Sequence, residues 1–154
     1  MDISQIHDKQ QKREIAADIL HDLPDWFGIP ESTQRYITQS MDMPFFAALE
    51  AAKPVGFVAI REINPYTAEI YVMGVLKEYH RHGAGRALVN EVLKQVKEKG
   101  FEFLMVKTLD GSDPDVNYSR TREFYQAVGF KPLECIPEIW GKENPCLLLV
   151  QHLG

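Results

Sequence analysis

The run Val75-Leu76-Lys77-Glu78-Tyr79-His80-Arg81-His82-Gly83-Ala84-Gly85-Arg86-Ala87-Leu88 decides how this chain is read. Ahead of it, Thr67 to about Lys77 alternates as a strand does. Ile70, Val72 and Gly74 point one way, and Glu69, Tyr71, Met73 and Val75 the other. Behind it, Arg86 to Lys99 is the strongest helix, with Leu88, Val92 and Val96 recurring on one face beside Val89 and Leu93. Lys94, Lys97 and Lys99 suit its last turns, and Gly100 its stop. Between strand and helix, Gly83 and Gly85 let the backbone come close to a ligand. The first amides of a helix have no intrahelical partner and carry the positive end of its dipole. His80, Arg81, His82 and Arg86 add positive charge, which makes the loop a ready anion site.

Two nucleotide signatures are absent from it. A Walker loop, G-x-x-x-x-G-K-S/T, needs a Lys followed by Ser or Thr that this loop lacks. A dinucleotide fingerprint, G-x-G-x-x-G, would need glycine where Leu88 stands. Glycine spacing alone leaves one bland alternative, a plain strand-to-helix turn with solvated basic residues. Two histidines at i, i+2 without a Cys or carboxylate cluster make a poor metal site, so no metal is expected.

Working outward, Gln10 to Leu23 places Ile15, Ala16, Ile19, Leu20 and Leu23 at helical spacing, and Pro24 ends the segment. A second helix is expected from Pro30 to about Ser40. The two read as an amphipathic arm over the edge of a sheet. Phe45 to Glu50 and Val55 to Ile63 read as strands around a turn at Ala52, Lys53 and Pro54. With the strand from Thr67 they form an antiparallel meander. Phe101 to Thr108 is a strand reached through the long helix, so it is expected to run parallel to the Thr67 strand. Asp110 to Asn117 reads as a loop, Ser119 to Val128 as a short helix stopped by Gly129, and Phe130 to Ile136 and Cys146 to Leu153 as closing strands. The fold class is mixed α/β: helices flanking a central mixed, largely antiparallel sheet.

The 154 residues suit one domain, 1–154. Apolar residues at 45% and charged residues at 25% fit an ordinary globular protein. The net charge of −5 offers no excess of Lys and Arg to hold nucleic acid, and it suits a cationic partner such as an amine. Cys135 and Cys146 lack CxxC spacing and read as small buried hydrophobes in a reducing compartment, with a catalytic cysteine as the alternative. The acidic start lacks the apolar core of a signal peptide. No apolar run nears the ~20 residues that span a membrane. The expected location is the cytoplasm, with no membrane partner; homodimerisation is left open.

Two motifs carry a family resemblance. The run Gly74 to Val89, GVLKEYHRHGAGRALV, resembles the coenzyme A-binding motif of the GNAT acetyltransferases, Gln/Arg-x-x-Gly-x-Gly/Ala, with Gly83 and Gly85 in the glycine positions. His80 stands where the family usually has Gln or Arg. The segment Ser119 to Phe130 resembles the family helix ending in Phe-Tyr-x-x-x-Gly-Phe, with Tyr125 in the tyrosine position. The family's Asn before that tyrosine is replaced by Tyr118, with Asn117 beside it. The resemblance covers roughly residues 44–154 and implies a GNAT-type domain that uses acetyl-CoA. It implies that Val75 and Lys77 lie along the pantetheine arm. Arg81, His82, Gly83, Ala84, Gly85 and Arg86 would surround the pyrophosphate, with Asn117 and Tyr118 on the cofactor side as well.

Acetyl transfer to a primary amine needs the thioester held near the amine, a base for the amine, a donor for the carbonyl oxygen, and an acid for the thiolate. By resemblance, Tyr125 is the acid and the Val75 N–H the oxyanion donor. Glu69 on the long strand is the candidate base, by resemblance to the strand glutamate of histone-acetylating relatives. The bland alternatives are a packed helix tyrosine and a solvent-facing strand glutamate. Trp26, Phe27, Tyr118 and Trp140 are candidates to line an amine pocket, or else core. A non-catalytic acyl-CoA-binding module remains the alternative function.

Overall fold

The computed structural model describes residues 1–111 and 115–154. Its strands are β1 (Asp2–Ile6), β2 (Phe45–Glu50), β3 (Lys53–Glu62), β4 (Thr67–Val75), β5 (Phe103–Leu109), β6 (Lys131–Ile136) and β7 (Cys146–His152). Its α-helices are α1 (Lys9–His21), α2 (Pro30–Ser40), α3 (Ala84–Glu98) and α4 (Val116–Ala127). The strands follow the order β1-β2-β3-β4-β5-β7-β6 in a seven-stranded sheet. The pairs β1–β2, β2–β3, β5–β7 and β6–β7 are antiparallel. The mixed α/β class expected from the sequence is the class observed. The chain divides into two compact units, residues 1–61 with 70–95, and residues 62–69 with 96–154.

In the first unit, α1 starts where the Asp8 side chain accepts a hydrogen bond from the Gln11 N–H at 2.8 Å, which satisfies one orphan donor of the first turn. Its apolar stripe, Ile15, Ala16, Ile19 and Leu20, is buried. That stripe lies on a face of the sheet rather than over its edge, contrary to the arm expected from the sequence. The reason is Gly74. A Cβ built there would stand 3.1 Å from Ile19 Cγ2 and 3.3 Å from Leu23 Cδ1, so the bare backbone admits the helix. A Cβ on Gly56 would meet Leu88 of α3 and Val75, each at 3.2 Å. Val75 and Gly74 alternate along β4, so α1 and α3 cover opposite faces. Phe45 and Phe57 stack at 5.1 Å within the core on the α1 side.

Lys12 is a buried lysine on α1. Its Nζ donates to Met43 O at 2.7 Å and to Met41 O at 3.3 Å, which ties α1 to the residues that leave α2. Burial pushes its ammonium below the ordinary lysine range.

Strand β1 is absent from the sequence reading, which began with the helices. It pairs with β2 along its whole length, from Asp2↔Leu49 to Ile6↔Phe45. It is a polar edge strand in which only Ile6 is buried, so it has no alternating apolar face to announce it.

In the second unit, β7 lies between β5 and β6. The register Phe103↔His152 runs to Leu109↔Cys146, and Lys131↔Val150 runs to Ile136↔Cys146. Helix α4 begins at Val116, three residues earlier than expected, because Asp115 caps it by accepting from the Asn117 N–H at 2.8 Å. Positions 112–114 of the expected loop lie outside the described residues. Arg122 of α4 donates to Leu109 O at 2.8 Å and to Asp110 O at 3.2 Å, which holds the helix to the end of β5. Gly129, at φ +108, ends the helix in a conformation that L side chains rarely adopt.

Candidate active site

Strand β4 stops at Val75, two residues short of the expected Lys77, and Lys77–Tyr79 form a 3-10 turn. The Leu76 N–H donates to Val55 O of β3 at 2.8 Å. Backbone groups of neighbouring strand residues point to opposite sides, so the N–H and C=O of Val75 point away from β3. His80 Nε2 takes the carbonyl, at 2.7 Å. A carbonyl oxygen can only accept, so the proton sits on Nε2. The Trp26 ring stands edge-on to His80, with centroids 5.4 Å apart. His80 therefore braces the end of β4, where the sequence had grouped it with the loop's positive charge. The Lys77 N–H donates to Asp22 Oδ2 at 2.9 Å, and its Nζ reaches Asp25 Oδ2 at 3.4 Å.

The loop then takes two left-handed residues, Arg81 at φ +66 and Gly83 at φ +89. A Cβ built on Gly83 would meet nothing within 4 Å, so its backbone lies open. Arg81, His82, Gly83 and Arg86 are exposed, Gly85 is half-buried, and Ala84 is buried. The Ala87 N–H bonds Gly83 O at 3.0 Å. The amides of Ala84, Gly85 and Arg86 precede that bond and have no intrahelical acceptor. In the same unit a cavity of about 860 Å³ lies between α1 and the turn after β4. Its lining includes Glu14, Asp18, Asp22, Lys53, Leu76 and Lys77.

Aromatic side chains of the first unit gather beside β4. Phe27 and Tyr36 meet edge-to-face at 5.9 Å, and Tyr36 and Tyr71 at 5.3 Å. Tyr71 Oη bonds Gln39 Oε1 at 2.5 Å. Trp26 and Phe27 are half-buried against the core. Of the other aromatic candidates, both in the second unit, Trp140 is exposed and Tyr118 half-buried.

The second unit holds the remaining candidates. Asn117 and Tyr118 lie in the first turn of α4, not in a loop before it. Tyr125 is 6% exposed, with ring contacts to Phe124 at 5.5 Å and to Phe130 at 5.6 Å. Glu69 is buried at 2% exposure, which excludes the solvent-facing strand glutamate. Its Oε2 stands 3.3 Å from Lys107 Nζ of β5, a partner the sequence reading missed. Among apolar neighbours, only the strand pairing could have revealed that lysine. Burial pushes the Cys146 thiol up to about 11. Burial, with Asp110 next, raises Cys135 as well. Neither thiol is activated and both are free; Cys146 is buried as expected, whereas Cys135 is only half-buried. Among the described residues no group of three or more His, Cys, Asp or Glu could hold a metal, and no helix is long and apolar enough to cross a membrane.

A strand that ends in an open glycine turn feeding a helix N-terminus presents backbone N–H groups to which an anion can bind. The particular family follows from the sequence match: residues 13–130 fit the model of the acetyltransferase (GNAT) family, and the chain belongs to that family. No curated protein sequence matches significantly. Among solved structures, aminoglycoside 6'-acetyltransferase type Ii matches with TM-score 0.78 at 21% identity, over 100% of this chain and 98% of that one. An aminoglycoside 6'-N-acetyltransferase complexed with coenzyme A matches with TM-score 0.75 at 18% identity, over 100% and 98%. The ribosomal-protein-S18-alanine N-acetyltransferase from Escherichia coli matches with TM-score 0.75 at 13% identity, over 99% and 95%. At these identities the likeness is one of fold. Acetyl-CoA is the cosubstrate of this acetyltransferase. The residues present fit it: the open backbone at Gly83, the amides of α3 and two exposed arginines suit a pyrophosphate.

Proposed function

We propose that this acetyltransferase is an N-acetyltransferase, moving the acetyl group from acetyl-CoA to a primary amine by direct attack. One observation carries this reading. At the end of β4 the Val75 carbonyl is engaged by His80. The Val75 N–H points the same way, away from β3, where a thioester oxygen could accept from it. The loop from Arg81 to Arg86 holds the pyrophosphate, with His82, Gly83, Ala84 and Gly85 supplying backbone and charge. Val75 and the carbonyl of Lys77 follow the pantetheine arm, because the Lys77 N–H is already given to Asp22. Asn117 and Tyr118, at the N-terminus of α4, complete the cosubstrate contacts.

The amine nitrogen attacks the thioester carbon, and the C–S bond breaks. The proton leaving the ammonium passes to Glu69, directly or through water. The thiolate takes its proton from the Tyr125 hydroxyl. The carboxylates of Glu14, Asp18 and Asp22 in the cavity beside the turn favour a cationic acceptor. Aminoglycosides are the first acceptors to try, because aminoglycoside acetyltransferases are among the structural relatives.

The test is thiol release from acetyl-CoA with a panel of primary amines: an aminoglycoside, a polyamine, an aromatic amine and a lysine peptide. Amine-dependent release with a new amide in the product is the expected result. A protein that gains stability with acetyl-CoA, ~2.7 kcal/mol at a hundredfold excess over Kd, yet releases no thiol with any amine would instead be a binding module.

A further inference from the structure

We infer that Asp22 is a positioning residue for acetyl transfer: from the end of α1 it caps the 3-10 turn after β4 and thereby sets His80 against the Val75 carbonyl. The inference rests on the reading of the Val75 N–H as the oxyanion donor. A helical turn leaves its first N–H groups without a partner inside the turn. Here the first is that of Lys77, and the residue before it is Leu76, whose side chain carries no acceptor. Asp22 supplies the cap from 55 positions away, its Oδ2 accepting from the Lys77 N–H at 2.9 Å. The next links are equally direct. Lys77 O accepts from the His80 N–H at 3.2 Å, and His80 Nε2 donates to Val75 O at 2.7 Å. One chain of hydrogen bonds thus runs from α1 to the residue that carries the proposed oxyanion donor.

Helix α1 itself gains nothing from this carboxylate. Asp22 is its C-cap, where the helix dipole is negative and an anion is disfavoured. Packing fixes where the carboxylate stands. Leu20 and Leu23 flank it in the sequence and are buried, and a Cβ built on Gly74 would stand 3.5 Å and 3.3 Å from their side chains. The end of α1 is therefore seated on β4 just before the amide that Asp22 caps. Without the cap the Lys77 N–H is orphaned in the turn, and a strand continued to Lys77, as the residue alternation suggests, becomes the competing course. An extended course would carry His80 away from Val75. Asp25 also reaches Lys77, but through the side chain: its Oδ2 is 3.4 Å from Nζ, and both groups are exposed. Such a pair contributes little, which makes Asp25 the natural control.

The experiment measures kcat/KM for acetyl-CoA, with the best amine of the panel at saturation, in wild type, Asp22→Ala, Asp22→Asn, His80→Ala, the double variant Asp22→Ala/His80→Ala and Asp25→Ala. In parallel, 15N NMR follows hydrogen exchange at the Lys77 amide, and the shifts of the amides from Val75 to Arg86 on adding acetyl-CoA. Asp22→Ala should lower kcat/KM about fivefold, the scale of one ordering hydrogen bond, and open the Lys77 N–H to exchange. Asp22→Asn keeps an oxygen acceptor and should restore both readouts, which separates the hydrogen bond from the negative charge that Asp22 lends the cavity. The double variant should lose about fivefold and not about twenty-five-fold, because residues that act through one contact are not additive. A merely structural role of Asp22 would add. Asp25→Ala should behave as wild type. If Asp22→Ala does not fold, Asp22→Leu fills a similar volume without an acceptor and makes the same comparison. Three results overturn the inference while the cosubstrate site stands, provided acetyl-CoA shifts the amides from Val75 to Arg86. They are wild-type kcat/KM in Asp22→Ala, a double variant that loses the product of the two single losses, and an Asp22→Asn that falls with Asp22→Ala. If acetyl-CoA shifts none of those amides, or no amine is turned over, the reading of the site falls, and this inference with it.

Discussion

His80 Nε2 donates to the carbonyl of Val75 across 2.7 Å, so the residue that opens the glycine loop also pins the end of the strand before it. The contact fixes the peptide that carries the proposed oxyanion donor. The family motif that the loop resembles has Gln or Arg at this position. A glutamine carries an amide donor of comparable reach. His80→Ala is expected to raise KM for acetyl-CoA and lower kcat, together by about fivefold, for the loss of one ordering hydrogen bond worth ~1 kcal/mol. His80→Gln should recover most of it. Steady-state kinetics with acetyl-CoA varied decides, and equal behaviour of the two variants would show that the bond is not what matters.

Gly83→Val should weaken acetyl-CoA binding more than it harms the fold. The open space around Gly83 means that a side chain meets no protein atom. Its cost comes from φ +89, ~1–3 kcal/mol for a branched residue, and from a bulky group standing where phosphate must approach. Calorimetric titration should show at least a tenfold loss in affinity. Gly83→Ala should lose less, and unchanged affinity in both would move the phosphate elsewhere.

Tyr125→Phe keeps the ring that packs on Phe124 and Phe130 and removes only the hydroxyl. The melting temperature and the acetyl-CoA affinity should stay close to wild type. Turnover should fall by ~100-fold or more, the usual scale for removing a general acid. A variant with normal turnover would return Tyr125 to the core.

Cys146 gives a pH signature. Burial pushes its thiol from the ordinary value of 9.0 up to about 11 in the fold. Between those values the native chain keeps a proton that the unfolded chain has lost. Stability therefore falls as pH rises through that window, and is unaffected by this group below it. Urea melts from pH 8 to pH 11 should show the decline, with a shallower slope in Cys146→Ala. At pH 8 the folded thiol should also resist iodoacetamide while unfolded protein reacts.

Much of this was legible in the residues. Helix α3 stands out by its periodic apolar face, and strand β2 by its continuous apolar run. The glycine loop stood out through its resemblance to the family motif, since glycine spacing alone also fits a plain strand-to-helix turn. Strand β1 was hidden, since an edge strand with one buried residue has no pattern to read. The early start of α4 was hidden in Asp115, whose capping oxygen looks like any loop aspartate until its acceptor geometry is known. The partners of Glu69 and Val75 were hidden for a different reason. Lys107 lies 38 positions from Glu69 in the sequence, and no local rule reports a meeting at that distance. His80 was close to Val75 in sequence, but its bond depends on a 3-10 turn that neither helix nor strand periodicity foretells.

The placement of β7 between β5 and β6 bears on how the protein is made. A growing chain on the ribosome completes every segment of the first unit by residue 95. The second must wait, because β5 and β6 both pair with β7, which follows them in the chain. Until residues 146–152 emerge, β5 and β6 expose unsatisfied edges, and the tyrosine helix between them has no finished sheet to rest on. A nascent chain stalled before residue 146, or cut there by a protease, would lack the strand between β5 and β6. Quality control that destroys such products would act on a body already half built.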